Sequence, residues 1–190
     1  MFSKFGAATF AAVLVSFAAQ PAAAAGSFSI NPYGALPDGT AAFADGSFGN
    51  SGIILPGTDQ SSFAVGFVLP RDYRQNTPVR IRLSWRTPDT NCSIILRPNF
   101  VDRTRANHPA STGNASGGLN PADGNNALVA SNVANQGQAK TYVLTADQGF
   151  ARQLRGDAVV VGFFRRPTEP DDTCDDDLIV SGIQVIYSTR

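Results

Sequence analysis

The stretch VRIRLSWR, Val79 to Arg86, alternates without a break: Val79, Ile81, Leu83 and Trp85 are apolar, while Arg80, Arg82, Ser84 and Arg86 are polar. Period two over eight residues is the mark of a β-strand with one face in a core and the other in water. Upstream, FAVGFVL (63–69) sets Phe63, Val65, Phe67 and Leu69 on one face and stops at Pro70. Downstream, CSIILRPNFV (92–101) is a weaker strand, TYVLT (141–145) another, and ALVASNV (127–133) offers a short one. AVVVGFF (158–164) is apolar on both faces, as a central strand would be. LIVSGIQVIYS (178–188) changes parity at Ser181-Gly182, and a glycine at a parity change predicts a β-bulge. No stretch carries a helical period of useful length. The fold class read from these segments is all-β, an antiparallel β-sandwich of jelly-roll type with an extended N-terminal arm.

The arm and its leader lie before Phe63. MFSKFGAATFAAVLVSFAAQPAAAAG has one lysine (Lys4), an apolar run from Ala7 to Ala19, a Gln20-Pro21 break and a series of small residues. This is the pattern of a secretory signal peptide, residues 1–25, of bacterial type. The mature chain then begins at Ala25 or Gly26, and the product is expected to be secreted or periplasmic. The leader is too short for a membrane span, and no later run is long and apolar enough for one. Residues 26–62 are rich in glycine and aromatics, with Phe28, Tyr33, Phe43 and Phe48 separated by turn residues, so they read as an extended arm in which only Ile53 to Leu55 resembles a strand. Residues 63–190 form the sandwich domain.

Charge and cysteines narrow the functional classes. Lysine plus arginine and aspartate plus glutamate each number fifteen, so loss of Lys4 leaves 14 − 15 = −1, which argues against a nucleic-acid partner. The charge is segregated, however: 71–105 carries eight arginines and three aspartates, and 169–177 carries six acids and no base. Arg80, Arg82 and Arg86 share the wet face of one strand and could bind an anion or a partner; the alternative is an ordinary solvated face. Asp171, Asp175 and Asp177 alternate in the acidic segment, a spacing compatible with calcium. Asp176 and Gly182 stand where an EF-hand needs glycine and glutamate, and charge runs are more often solvated. In an exported protein, Cys92 and Cys174 read by default as one disulfide, with two unpaired thiols as the alternative.

No catalytic constellation emerges. His108 lies alone in a Pro/Ser/Asn loop, and Asp102 and Asp123 have no separation that sequence can supply. The triplets at Asn91 and Asn114 match N-glycosylation acceptors, which a bacterial leader makes irrelevant. The block FVLPRDYRQNTPVRIRLSW followed by GDAVVVGFFRRPTEPDDTCDDDLIVSGIQVIYS resembles a group of short jelly-roll β-sandwich proteins of phage, prophage and bacterial sequences, over residues 63–188. The resemblance implies a structural or assembly role and transfers no catalytic residue. The chain differs from that pattern in its leader and its cysteine pair. The expectation is a secreted, non-enzymatic protein with a structural, surface or assembly role, without cofactor and able to self-associate through its arm. The alternative is a carbohydrate-binding module recognising an anionic polysaccharide.

Overall fold

The computed structural model describes residues 24–44, 51–104, 127–144, 155–156 and 158–190, with side chains at 99–104 left aside. His108, Asp123, Asn114, Phe48 and residues 1–23 of the leader lie outside the described residues. Eleven strands are seen: β1 (Ala25–Ile30), β2 (Leu36–Gly39), β3 (Ala42–Phe43), β4 (Ile53–Leu55), β5 (Ser61–Val68), β6 (Val79–Arg86), β7 (Ser93–Thr104), β8 (Ala127–Val129), β9 (Gln138–Leu144), β10 (Ala158–Arg165) and β11 (Leu178–Ser188). A single 3-10 turn, Pro32–Gly34, is the only helical element among the described residues.

The strands form two antiparallel sheets. One runs β3-β4-β11-β6-β9, and the other runs β2-β5-β10-β7-β8. The pairs β7/β8, β6/β9, β5/β10 and β4/β11 nest inside one another, the last three alternating between the sheets, which is the winding of a jelly roll. The inward positions of β5 and β6 are those given by period two: Phe63, Val65, Val79, Ile81, Leu83 and Trp85 all lie in one core. In that core the Phe63 and Phe163 rings stack at 5.1 Å, and the Tyr142 hydroxyl donates to the Leu96 carbonyl at 3.1 Å. The predicted bulge is present, with the β11/β6 register shifting between Val180 and Gly182.

The N-terminal segment is extended, but it is not without regular structure. β1 pairs with residues 183–188 of β11, on the same edge that β4 occupies at 178–180. β2 and β3 lengthen the sheets beside β5 and β4. Phe28 lies against Phe67 and Tyr187, at 6.1 and 6.2 Å between ring centres. The arm therefore covers its own sandwich at Phe28. An open strand edge offers unpaired backbone groups to any neighbouring extended segment, so a stretch without a hydrophobic period can still become a strand.

The acidic segment is held from inside. Arg165 occupies the last inward position of β10 and is fully buried. All five of its N–H groups are used. Nε donates to Asp172 Oδ2 (3.4 Å), Nη1 to the carbonyls of Leu55 (2.9 Å) and Asp176 (2.8 Å), and Nη2 to Asp172 Oδ1 (3.3 Å) and the Cys174 carbonyl (2.8 Å). Asp172 Oδ2 also accepts from the Ile95 backbone N–H at 3.0 Å. Beside this cluster, Cys92 and Cys174 form a disulfide with a Cα–Cα distance of 5.3 Å across 82 positions. Closing a loop that long removes about 4–5 kcal/mol of unfolded-chain entropy in the chain-entropy model.

Removing one partner of a buried ion pair strands the other in a low-dielectric interior, at a cost of about 3–5 kcal/mol. Arg165→Ala is therefore expected to lower the thermal midpoint by about 10 °C. Calorimetry checks this, and a fall of under about 2 °C would mean that the disulfide alone holds the segment.

Candidate binding site

The bulge in β11 shapes the outer surface of the six-stranded sheet. Ser181 is the extra residue, and Gly182 faces Ser84 on β6. A Cβ at Gly182 would come 3.2 Å from the Ser84 Cβ and 3.3 Å from its Oγ, so glycine permits this close approach. The other edge of β11 passes at the same point from β4 to β1, leaving a gap between the two. The result is a depression of about 420 Å³ lined by Ser29, Ile30, Arg82, Ser84, Ser181, Gly182, Ile183 and Gln184.

A second depression, of about 360 Å³, lies toward the start of β9 and is lined by Arg82, Ser84, Trp85, Gly137, Gln138, Ala139 and Ser181. Arg82, Ser84 and Ser181 belong to both, so the two join in one shallow trough crossing the strands from β1 through β11 and β6 to β9. Its lining is mostly hydroxyl, amide and backbone. Arg82 is exposed at the junction and makes no hydrogen bond or ion pair among the described residues. Among the described residues, no carboxylate and no imidazole lines either depression. Trp85 contributes to the lining but is only 3% exposed, so it offers no stacking platform.

Of the three arginines singled out from the sequence, Arg80 and Arg82 are exposed and Arg86 is half-buried on the same strand, but only Arg82 lines the trough. The serines of β1 and β11 could not be found from sequence, because Ser29, Ser84 and Ser181 are brought together only by strand pairing.

The acidic residues at the other end of β11 have a different organisation. Asp171, Asp175 and Asp177 are exposed, and they do not converge with one another. Among the described residues, the one group of three ligand atoms close enough for a metal is Asp89 with Cys92 and Cys174, whose sulfurs are bonded to each other. Arg97 and Arg166 pair with Glu169, the Ser93 N–H donates to Thr173 Oγ1 at 3.0 Å, and the Gly57 N–H donates to Asp177 Oδ1 at 3.4 Å. The residue that sequence reading missed is Arg165. Its signal was parity, since Val159, Val161 and Phe163 on the same strand also point inward.

One strained contact remains in this segment. Asp89 Oδ2 accepts the Asp176 backbone N–H at 2.9 Å, which brings two carboxylates together. Repulsion from Asp89, helped by partial desolvation and by Asp177 and Asp175, raises the Asp176 pKa.

No family model and no curated protein matches the chain. Among solved structures, the isomalto-dextranase of Arthrobacter globiformis T6, complexed with panose, is similar with a TM-score of 0.50 and 10% identity, over 84% of this chain and 23% of the enzyme. The chain thus spans about a quarter of that protein. A family 35 carbohydrate-binding module from Clostridium thermocellum has a TM-score of 0.44 and 10% identity, over 84% of this chain and 97% of the module. The enzymatically active domain of Bacteriophage CBA120 tailspike protein 4 has a TM-score of 0.30 and 10% identity, over 86% of this chain and 19% of the other. At such identity the likeness to the dextranase is one of fold.

The raised Asp176 pKa fixes a sign. A carboxyl easier to protonate in the folded state favours folding below its unfolded pKa, and that contribution is lost as pH rises through the folded value. Asp176→Asn is therefore expected to be more stable than the unsubstituted protein at pH 7, with the difference closing as pH falls below the ordinary carboxylate range. Denaturation at both pH values checks it; an equal difference at both would remove the repulsion account. Millimolar calcium is expected to leave the two curves where they were.

Proposed function

We propose that this chain is an exported, non-enzymatic β-sandwich that binds an anionic polysaccharide along the trough over its six-stranded sheet. The observation that carries the reading is Arg82, without a partner among the described residues, at the meeting point of two hydroxyl-lined depressions. A guanidinium presents a planar fork that matches a carboxylate or sulfate. Ser29, Ser84, Ser181 and Gln184 supply hydrogen-bonding groups suited to sugar hydroxyls. An open trough admits the middle of a polymer as well as its end, and Arg80 continues the positive row two residues along the strand.

Two further features fit binding rather than turnover. Glycoside hydrolysis in most families uses a pair of carboxyl groups across the scissile bond, and the described lining of the trough has none. The lack of an aromatic platform shifts the recognition from ring stacking to charge and hydrogen bonds, which favours an acidic polymer over a neutral one. The similar dextranase, solved with panose, sets the same kind of sandwich in a saccharide-handling protein.

A charge-assisted contact contributes about 1.5–3 kcal/mol net, which corresponds to roughly ten- to a hundredfold in affinity. Affinity electrophoresis in polygalacturonate is expected to retard the protein, with the retardation weakened by salt and reduced at least tenfold in Arg82→Ser. Equal retardation by neutral dextran, unaffected by Arg82→Ser, would overturn the reading.

A further inference from the structure

The pairing register lays out the outer face of the six-stranded sheet as rows that cross the strands. Thr141 on β9, Arg82 on β6, Gln184 on β11 and Ser29 on β1 are successive partners and stand in one row. The next row holds Ala139 on β9, Ser84 on β6 and Gly182 on β11. The first row is polar throughout, and its amide is braced from the side, where Gln184 Nε2 donates to Ser27 Oγ at 3.3 Å. The second carries nothing larger than a serine. Beyond it stands Ser181, exposed because the bulge puts it outside the ladder.

The low row is the floor of the trough, since Ser84 and Gly182 line one depression and Ser84 and Ala139 the other. Its direction follows from what bounds it. Along β6 the floor meets an arginine on either side of Ser84, Arg82 on one and Arg86 on the other. Across the strands, from Ala139 to Gly182, no side chain of the row rises above a hydroxymethyl group. The open course therefore runs at about a right angle to the strands. Neighbouring strands are ~4.8 Å apart, close to the advance of one pyranose unit along an extended polymer, so each strand carries one unit. β6 is the middle strand of the three, and the charged group of the adjoining row, Arg82, stands on it.

We propose that the trough takes three consecutive sugar units of its polymer, laid across β9, β6 and β11 over Ala139, Ser84 and Gly182, with the acidic group of the middle unit on Arg82. The site, on the polysaccharide reading it rests on, thus has a direction and a length. Thr141 serves the unit over β9, and Gln184 and Ser29 serve the unit over β11. Ala139 and Gly182 set how closely the two outer units approach the sheet.

Heteronuclear NMR titration of the exported protein with oligogalacturonides of one to six units tests this. Affinity is expected to rise at least tenfold from one unit to three, and then only about fourfold to six, the gain that the extra registers of a longer chain provide. Ala139→Gln, which raises the floor on β9, should bring the trisaccharide down to the affinity of the disaccharide, and Thr141→Ala should weaken the trisaccharide severalfold. Both side chains are exposed, so the thermal midpoint should stay with that of the parent. Affinity that is complete at one unit, that climbs tenfold again beyond three, or that is untouched by both variants overturns the proposal, as does retardation by the polymer with no binding of any oligomer. If Arg82→Ser still releases polygalacturonate in those cases, the trough reading stands without it. If neither polymer nor oligomer binds, both fall.

Discussion

The Arg165 guanidinium lies at the inward end of β10, and its donors end on separate pieces of chain: the Leu55 carbonyl closing β4, the Asp172 carboxylate, and the Cys174 and Asp176 carbonyls that lead into β11. A buried arginine cannot shed its charge, so the surrounding backbone must arrange itself to meet every donor. This requirement shapes a segment that is otherwise rich in acids and poor in apolar residues. Asp172 answers the charge and also holds the Ile95 N–H, which ties the segment to β7. The disulfide fixes Cys174 next to the same place. Gly57 belongs to this arrangement as well, since a Cβ there would come 1.9 Å from the Asp175 carbonyl oxygen. The start of β11 is therefore set by a polar cluster, and its later half by the core.

That division explains the position of the bulge. Leu178 and Val180 take their register from β4 beside the Arg165 cluster, whereas Ile183 and Val185 take theirs from the core opposite Leu83 and Ile81. Ser181 absorbs the mismatch and is left outside. The trough is a consequence of this mismatch, because the extra residue and the bare backbone at Gly182 lower the surface between β1 and β6. Arg82 stands beside it as a charge with no partner among the described residues, in contrast to Arg165, whose every donor is used.

Much of this was legible in the sequence. Period two located β5, β6 and both halves of β11, a run apolar on both faces located β10, and the parity change at Ser181-Gly182 located the bulge. The two cysteines, read by default as a pair, are bonded to each other in the structure. What could not be read depends on neighbours in space. β1, β2 and β3 are strands because β11, β5 and β4 offer open edges, and Gly26, Ser27 and Ser29 carry no periodic signal of their own. The trough collects Ser29, Ser84 and Ser181 from three distant strands. The acidic run was ambiguous for another reason, since its counter-charge is a single arginine whose burial follows from the parity of β10.

The central claim is that Arg165 and Asp172 act as one unit in fixing the end of the sandwich. The most direct measurement is a double-mutant cycle with Arg165→Met, Asp172→Leu and the two combined, read by denaturant unfolding. Each single substitution strands one buried charge, and the pair of substitutions strands none. The account predicts that the double variant is more stable than either single one, which requires a coupling larger than the larger single loss of about 3–5 kcal/mol. Losses that add, leaving the double variant the least stable of the three, would contradict it.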